Sequence, residues 1–268
     1  MPTVDILPQS LQDALGIDET GHLRTITESL INETYCLSSR NERFTIKRFL
    51  ADQSTGRSRK LLFYVQQKLA NYNIAPKPLY LCQESGFYAE QWVSTKATPL
   101  AALDNKKRMS HLASALAAIH KLPITTARMD LPEQWNWYAK AANLSESDIR
   151  WRRAKELVFM AAASINSKDD LVFCHNDLVV NHVIDYEQPM IIDWEYCGTG
   201  NRYFDIASTI AINQLDAVQS KELLTHYANE FDLLQSTVQE GVYRHEPLVT
   251  LTYQLWYAAV TEHMKHTR

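Results

Sequence analysis

Residues 173–184 read Phe173-Cys-His-Asn-Asp-Leu-Val-Val-Asn-His-Val-Ile184, and residues 191–195 read Ile191-Ile-Asp-Trp-Glu195. These two stretches hold the densest set of polar side chains in an otherwise apolar part of the chain. Asp177 and Asp193 each follow a short run of β-type residues, which predicts that both lie on loops supported by a strand. Because burying an unpaired carboxylate is costly, we expect both side chains to lie in a cleft or beside partners.

The residue types in these stretches suit phosphoryl transfer from a nucleotide. Asp177 is a candidate to accept the proton of a substrate hydroxyl, and Asp193, with a neighbouring amide or imidazole, is a candidate Mg²⁺ ligand. Such a transfer depends on positioning and charge neutralisation more than on covalent help from the protein. A metal hydrolase built on His175, Asp177 and His182 is a weaker alternative, because a two-metal site needs a larger cluster of ligands.

The rest of the chain predicts two unlike lobes. Four strands are predicted over residues 34–38, 44–49, 79–82 and 87–93, and the apolar spacing from Leu61 to Leu69 predicts a helix between the second and the third. After Val93 the chain is rich in Ala and Leu, and helices are predicted over residues 100–120, 149–165, 221–234 and 247–263. We therefore expect a β-rich lobe over residues 1–93 and a larger helical lobe over residues 94–268, with a ligand cleft between them.

Composition and charge exclude several classes of protein. The 268 residues are 46% hydrophobic and 22% charged, which is typical of a globular chain. With 27 Lys and Arg against 31 Asp and Glu, the net charge of −4 gives no reason to expect nucleic acid or an anionic membrane as a partner. The longest strongly apolar run, residues 157–165, is far shorter than the ~18 residues that a membrane helix needs. The four cysteines are scattered and no basic, apolar leader is visible, so we expect a cytoplasmic protein with reduced thiols.

The order of the motifs resembles the aminoglycoside phosphotransferase and choline kinase superfamily. The motifs that carry this resemblance are His175-Asn-Asp-Leu-Val-Val-Asn-His182, Ile192-Asp-Trp-Glu-Tyr196 and Phe204-Asp-Ile-Ala207, with support from Ile74-Ala-Pro76 and the Leu/Ala-rich residues 112–120. The second motif is especially similar to bacterial thiamine kinases and choline kinases. The resemblance spans about residues 24–210 and implies an α+β, protein-kinase-like fold, with a small β-rich N-terminal lobe and a larger, mainly helical C-terminal lobe.

The resemblance also implies roles for individual residues. Asp177 is expected to be the catalytic base, Asp193 a Mg²⁺ ligand, Lys47 a contact to the phosphates of ATP, and Asp205 a structural residue that fixes the catalytic loop. Residues 89–92 match the hinge that binds the edge of adenine, and residues 27–34 match the phosphate loop. The nucleotide-binding candidates on these two segments are Glu90 and Trp92 of the hinge and Ser29 and Asn32 of the loop.

The chain departs from the family pattern at three places. The second metal ligand of the family is an Asn, and His182 stands at its position while Asn181 lies one residue earlier, so both remain candidates. Leu62 stands where the family has the helix glutamate that pairs with the strand lysine. The phosphate loop contains no glycine, which leaves Ser29 and Asn32 to donate hydrogen bonds to phosphate.

These expectations together predict an ATP- and Mg²⁺-dependent kinase that phosphorylates the hydroxyl of a small alcohol, with thiamine, choline or ethanolamine favoured. An aminoglycoside-type kinase and a nucleotide-binding pseudokinase with a regulatory role are the alternatives. A cage of aromatic side chains around a cationic acceptor would favour choline, although large aromatic residues are also typical of a core. The spacing of Tyr253, Trp256 and Tyr257 suits a packing stripe as well as a cage. The aromatic candidates are Trp135, Trp137, Tyr138, Trp151, Tyr253, Trp256 and Tyr257.

Overall fold

A computed structural model describes residues 3–29, 31–51, 56 and 58–267. Its N-terminal part is a five-stranded antiparallel sheet with the strand order β1-β2-β3-β5-β4. The strands are β1 (His22–Glu28), β2 (Asn32–Ser39), β3 (Glu42–Phe49), β4 (Pro78–Cys82) and β5 (Phe87–Gln91). A short helix, α1 (Gln9–Leu15), packs beside this sheet.

The hairpin of β2 and β3 brings the phosphate-loop segment and Lys47 next to each other. A two-residue turn at Arg40 and Asn41 closes the hairpin, and Arg40 adopts a left-handed backbone (φ 54°). Leu37 and Ile46 are fully buried on one face, as the alternation of apolar residues requires. Strand β1 was not predicted, since most of its side chains are exposed on an edge strand and show little apolar alternation.

The helix predicted between strands is α2 (Arg59–Asn71), which begins at the N-cap Ser58. Val65 and Leu69 are buried, in agreement with the predicted apolar spacing. The helix ends ahead of Pro76, whose carbonyl accepts a hydrogen bond from Gln66 Nε2. Helix α2 also packs against strand β4 of the sheet.

The C-terminal part is mainly helical and contains the large core. Its fully buried members include Leu112, Leu116, Trp135 and Tyr138. The helices are α3 (Asn105–His120), α4 (Leu131–Ala141), α5 (Ile149–Ser164), α6 (Arg202–Ile212), α7 (Ala217–Glu230) and α8 (Gln235–Thr267). No helix in the described part of the chain combines the length and apolar character that crossing a membrane requires.

The last helix differs from the sequence expectation. Helix α8 is continuous from Gln235 and carries Pro247 in its interior, so the predicted start at Pro247 is wrong. Proline removes one backbone donor from a helix, but the buried residues Leu248, Leu251 and Leu255 pack this helix against α4 and α6. Tertiary packing therefore overrides the local helix-breaking preference.

Two small ribbons position the chemistry-bearing loops. Strand β6 (Leu171–Cys174) pairs with β9 (Gly198–Asn201), and β7 (Val183–Asp185) pairs with β8 (Met190–Ile191). The predicted two-lobed α+β fold is confirmed. The lobe boundary at residue 93 stays a prediction, with the last strand of the large sheet ending at Gln91.

Candidate active site

The loop that follows β6 is fixed by a buried carboxylate. Asp205 accepts hydrogen bonds from the backbone N–H groups of His175 (2.8 Å) and Asn176 (2.7 Å), and it contacts His120 Nε2 at 3.0 Å. Burial opposes the charged form of Asp205, but these partners lower its pKa below the usual value. Asn176 takes a left-handed backbone (φ 65°) directly before Asp177. The loop thus presents Asp177 to the cleft on a rigid support.

Asp177 lies in a strongly acidic environment. Burial raises its pKa well above the usual value, and the negative charges of Asp193 and Glu195 raise it further. The positive charge of Lys47 offsets part of this effect. A carboxyl with a raised pKa in a cleft is characteristic of a group that handles protons.

Asp193 and Lys47 form a direct ion pair across the cleft, with 2.6 Å between Lys47 Nζ and Asp193 Oδ1. Burial alone would raise the pKa of Asp193, but the charge of Lys47 holds that pKa well below its usual range. Burial likewise opposes the charge on Lys47, whereas Asp193 and Glu90 raise its pKa above the usual value. Asp193 adopts a left-handed backbone (φ 68°) on the loop after β8, which turns its side chain toward the strand lysine.

The two candidates for the second metal ligand lie in different surroundings. His182 Nε2 is 3.4 Å from Asp193 Oδ2, and the His182 side chain is only 15% exposed. His182 Nδ1 donates a hydrogen bond to the backbone carbonyl of Asp177 at 2.9 Å. The side chain of Asn181, one residue earlier, is exposed. The structure therefore brings His182 together with Asp193, and leaves Asn181 at the surface.

The phosphate-loop residues are tied together by side-chain hydrogen bonds in place of glycine. Ser29 Oγ accepts from the backbone N–H of Ile31 (3.3 Å) and of Asn32 (3.0 Å), which closes the turn between β1 and β2. Leu30 and the side chain of Glu28, within the predicted loop, lie outside the described residues. Asn32 Nδ2 donates to both oxygens of Glu195 at 3.2 Å, so the loop is connected directly to the Asp193 loop.

Helix α2 contributes a cation to this network. Arg59 Nη1 lies 2.9 Å from Glu195 Oε2, and both side chains are less than 10% exposed. The Arg59 guanidinium also lies over the Phe49 ring, 3.7 Å from the centroid. No local sequence pattern predicts a role for Arg59, because its partner is 136 residues away along the chain. The sequence offered one indication of a role for Arg59, which is that an arginine precedes the predicted helix in a protein with an expected acidic site.

The hinge candidates lie on and after β5. The Glu90 side chain is buried and accepts from Gln66 Nε2 (2.6 Å) and Tyr88 OH (2.8 Å). Burial raises the pKa of Glu90, while the charge of Lys47 lowers it, so the two side chains interact within the lobe. Trp92 lies beyond the strand, with the guanidinium of Arg43 5.5 Å from its ring centroid.

A cavity of about 600 Å³ opens beside Asp177 and Asp193. Its aromatic lining residues are Tyr138, Tyr196, Phe204, Tyr253 and Trp256. Tyr253 OH is hydrogen-bonded to Ser208 Oγ at 2.8 Å, and Trp256 Nε1 donates to Tyr196 OH at 2.8 Å, which fixes the orientation of these rings. Of the other predicted aromatic candidates, Trp135 is buried in the core and Tyr257 is exposed. Sequence analysis did not single out Tyr196, although it follows Glu195 directly.

The order and geometry of these elements agree with one family. The model of the phosphotransferase enzyme family matches residues 22–236, which is most of the chain. This chain belongs to the phosphotransferase enzyme family. The resemblance found in its motifs is confirmed.

The phosphotransferase also resembles individual proteins. Protein LicA of Haemophilus influenzae is 31% identical over 111 residues, a segment that covers 40% of this chain and only 42% of that protein. Among solved structures, choline kinase LicA from Streptococcus pneumoniae superposes with a TM-score of 0.75 at 18% identity, over 95% of this chain and 89% of that one. The ethanolamine kinase of Plasmodium vivax gives 0.71 at 14% identity, over 96% and 83% of the two chains.

A more distant structural neighbour is an aminoglycoside-3'-phosphotransferase of type VIII. It superposes on the phosphotransferase with a TM-score of 0.62 at 18% identity, over 91% of this chain and 100% of that one. At these identities the structural likeness establishes the fold. The choice of acceptor depends on the cavity itself.

Proposed function

We propose that this phosphotransferase is an ATP- and Mg²⁺-dependent kinase that phosphorylates the hydroxyl of a small cationic alcohol of the choline or ethanolamine type. The observation that carries the proposal is one cavity lined both by Asp177 and Asp193 and by several oriented aromatic rings. The choline kinase and ethanolamine kinase structures that share the fold support the same acceptor class. The nucleotide assignment has support from the structural likeness to a LicA complex with AMP.

Asp177 is the proposed general base. Its carboxylate would accept the proton of the acceptor hydroxyl as the oxygen attacks phosphorus. The raised pKa of Asp177 means that its protein surroundings disfavour the charged form. A cationic acceptor in the cavity would lower this pKa again, because an opposite charge stabilises the carboxylate. Binding of the acceptor would thereby help to ionise the base that activates it.

The residues around Asp193 fit a divalent cation and a nucleotide. Asp193 Oδ1 contacts Lys47, and Asp193 Oδ2 lies beside His182 Nε2. The first oxygen is therefore paired with the lysine, and the second is placed to bind a metal ion. When bound, Mg²⁺ and ATP supply the phosphoryl group and neutralise its charge. Lys47 would hold phosphate oxygens, and Ser29 and Asn32 would shape the loop that covers them. Glu90 and Trp92 would border the adenine side.

The wall of the cavity favours a quaternary ammonium over a polyamine. Ring faces attract cations without requiring a carboxylate for each positive charge. Glu195 is already occupied by Arg59 and Asn32, so it offers less attraction to a ligand than its charge suggests. An aminoglycoside carries several ammonium groups and would need more free carboxylates. Thiamine is a competing acceptor with a cationic ring, and the assay below separates it from choline.

The test is phosphate transfer measured as ADP release and as acceptor mass. The purified protein with MgATP is offered choline, ethanolamine, thiamine or kanamycin, and Asp193→Ala provides the blank. We expect turnover on choline or ethanolamine that the blank lacks. Turnover on thiamine or kanamycin alone would overturn the acceptor assignment. Nucleotide binding with no turnover on any of these acceptors would favour the pseudokinase instead.

A further inference from the structure

The most unusual group in the site is the imidazole of His182. We propose that His182 Nε2 is a metal ligand beside Asp193, and that this nitrogen makes the site bind Mn²⁺ and related transition-metal ions in preference to Mg²⁺. The proposal rests on the proposed function, since it concerns the metal that accompanies the nucleotide. This metal site differs from one with only oxygen ligands because the imidazole nitrogen of His182 replaces an amide oxygen.

The hydrogen bonds of His182 identify which nitrogen is available. The carbonyl oxygen of Asp177 only accepts hydrogen bonds, so His182 Nδ1, 2.9 Å away, carries a hydrogen. In the neutral imidazole, Nε2 then has a free lone pair. A ring nitrogen held by a carbonyl on its other side is the usual arrangement of a metal-binding histidine.

That lone pair faces a second acceptor. Nε2 lies 3.4 Å from Asp193 Oδ2, and two acceptors at this distance repel each other unless a cation or a proton lies between them. A metal with one nitrogen and one oxygen ligand at about 2.1 Å each, at right angles, would place these two atoms about 3 Å apart. The observed spacing is close to that value. A proton on Nε2 would satisfy the same pair, and the experiment below separates the two cases.

The two side chains are held in place before any ligand binds. The backbone N–H of Ile192 donates to the carbonyl of His182 at 3.0 Å, which ties the two loops to each other. His175 Nε2 contacts the carbonyl of Ile192 at 3.1 Å from the opposite side. Lys47 occupies the other oxygen of Asp193 and leaves Oδ2 for His182. The donor pair is therefore preorganised, which is the condition for a selective site.

The chemistry of the donors gives the direction of selectivity. Mg²⁺ is a hard ion that prefers oxygen ligands, whereas imidazole suits first-row transition metals. Exchange of an amide oxygen for an imidazole nitrogen weakens binding of Mg²⁺ relative to these ions. Mn²⁺ is the appropriate probe, because it shares the octahedral geometry and carboxylate affinity of Mg²⁺ and is paramagnetic.

The test compares the wild-type protein with His182→Asn, which restores an amide at this position. Mn²⁺ is added with ADP, its affinity is measured from the electron paramagnetic resonance of the free ion, and ¹⁴N coupling is measured by electron spin-echo modulation. We expect a ¹⁴N signal in the wild type that His182→Asn lacks. We also expect the ratio of Mn²⁺ to Mg²⁺ affinity to fall at least about tenfold in the variant, the lower end of what altered metal surroundings cost. The Mn²⁺–ADP complex without protein gives the contribution of the nucleotide, and a ¹⁴N signal of equal strength in wild type and variant would overturn the proposal.

Two controls keep the outcomes separate. Asn181→Ala alters the exposed neighbour and is expected to behave as the wild type does. Thermal unfolding without metal verifies that His182→Asn is folded, and His182→Gln provides a second amide if it is not. Bound Mn²⁺ without the ¹⁴N signal, or an unchanged affinity ratio, would overturn the proposal. A ¹⁴N signal in a protein without turnover on any acceptor would leave the ligand assignment standing and overturn the proposed function.

Discussion

Lys47 Nζ lies 2.6 Å from Asp193 Oδ1, so the lysine of strand β3 and the aspartate of the loop after β8 form a direct ion pair. The family pattern would pair this lysine with a helix glutamate, but Leu62 stands at that position. After Asp193, the charge of Glu90 on the neighbouring strand β5 has the largest effect on Lys47, and Glu195 adds a smaller effect. Glu90 thus supplies the negative charge near Lys47 that helix α2 lacks at Leu62.

Substitution of Glu90 tests that role. In Glu90→Gln we expect the KM for ATP to rise about tenfold with a smaller change in kcat, since the charge of Glu90 acts on Lys47 through space and a tenfold change corresponds to about 1.4 kcal/mol. Leu62 borders the same small cavity as Lys47, so Leu62→Glu in the Glu90→Gln background should recover part of the loss. Steady-state kinetics with varied ATP measure both effects. A normal KM in Glu90→Gln would show that Lys47 needs no second carboxylate.

Asp177→Asn should separate catalysis from stability. Loss of the base is expected to lower kcat about 10²–10⁴-fold while MgATP binding persists. Folding raises the pKa of Asp177, so the fold favours the neutral carboxyl and the ionised form costs stability at neutral pH. The neutral amide should therefore raise the melting temperature by about 2 °C or more. Asp169→Asn, at an exposed aspartate, is the matched control. A lower melting temperature in Asp177→Asn would contradict this view of the acidic cluster.

The pH dependence of the wild-type rate should reflect the same carboxyl. A general base works only when it is deprotonated, so kcat/KM should fall as the pH drops through the raised pKa of Asp177. We expect this acidic limb at a pH clearly above the ordinary aspartate value of 3.8. Measurement of kcat/KM between pH 4 and pH 8, with the fold monitored by circular dichroism, checks it. A rate that stays constant down to pH 4 would rule out a base with a raised pKa.

Arg59 and Glu195 form the buried ion pair that connects helix α2 to the Asp193 loop. Arg59→Met should destabilise the protein by about 3–5 kcal/mol, because it leaves a buried carboxylate without its cation. The double variant Arg59→Met with Glu195→Gln removes both charges and should recover most of the loss. Urea unfolding of the three proteins measures the coupling. An Arg59→Met cost below about 1 kcal/mol would mean that Glu195 is well solvated.

The aromatic wall can be tested with a neutral copy of the acceptor. The compound 3,3-dimethylbutanol has the shape of choline without its charge, so a preference for choline measures attraction of the cation. We expect the choline preference to fall in Trp256→Leu and in Tyr253→Leu, since cation–π contacts contribute about 0.5–2 kcal/mol. Tyr257→Leu, on an exposed part of the same helix, is the control. If the wild type phosphorylated choline and 3,3-dimethylbutanol equally well, the aromatic rings would not bind the acceptor through its charge.

Local patterns were sufficient to predict the hairpin of β2 and β3, helix α2 and the loops of Asp177 and Asp193. They failed where tertiary contacts decide the structure. Helix α8 continues through Pro247 because its buried leucines pack against α4 and α6. Helix α4 was not predicted, although its buried residues Leu131, Trp135 and Tyr138 follow helical spacing.

The residues of the site likewise divide into those that local patterns predict and those that only the structure identifies. The motif spacing identified Asp177, Asp193 and Lys47 as candidates, but it left both Asn181 and His182 as alternatives for one role, with the hardness of Mg²⁺ favouring Asn181. Only the three-dimensional arrangement distinguishes an exposed Asn181 from a His182 that faces Asp193. The pairing of Arg59 with Glu195 likewise joins residues far apart in the chain, which no local pattern records.

The central claim is that this chain transfers a phosphoryl group to a small cationic alcohol with Asp177 as the base. The most direct measurement follows ³²P from the γ-position of ATP into choline, with wild-type protein, Asp177→Asn and Asp193→Ala in parallel. The account predicts labelled phosphocholine from the wild type alone, with both variants at least about 10²-fold slower. Labelled product formed equally well by Asp177→Asn, or none formed by the wild type, would contradict it.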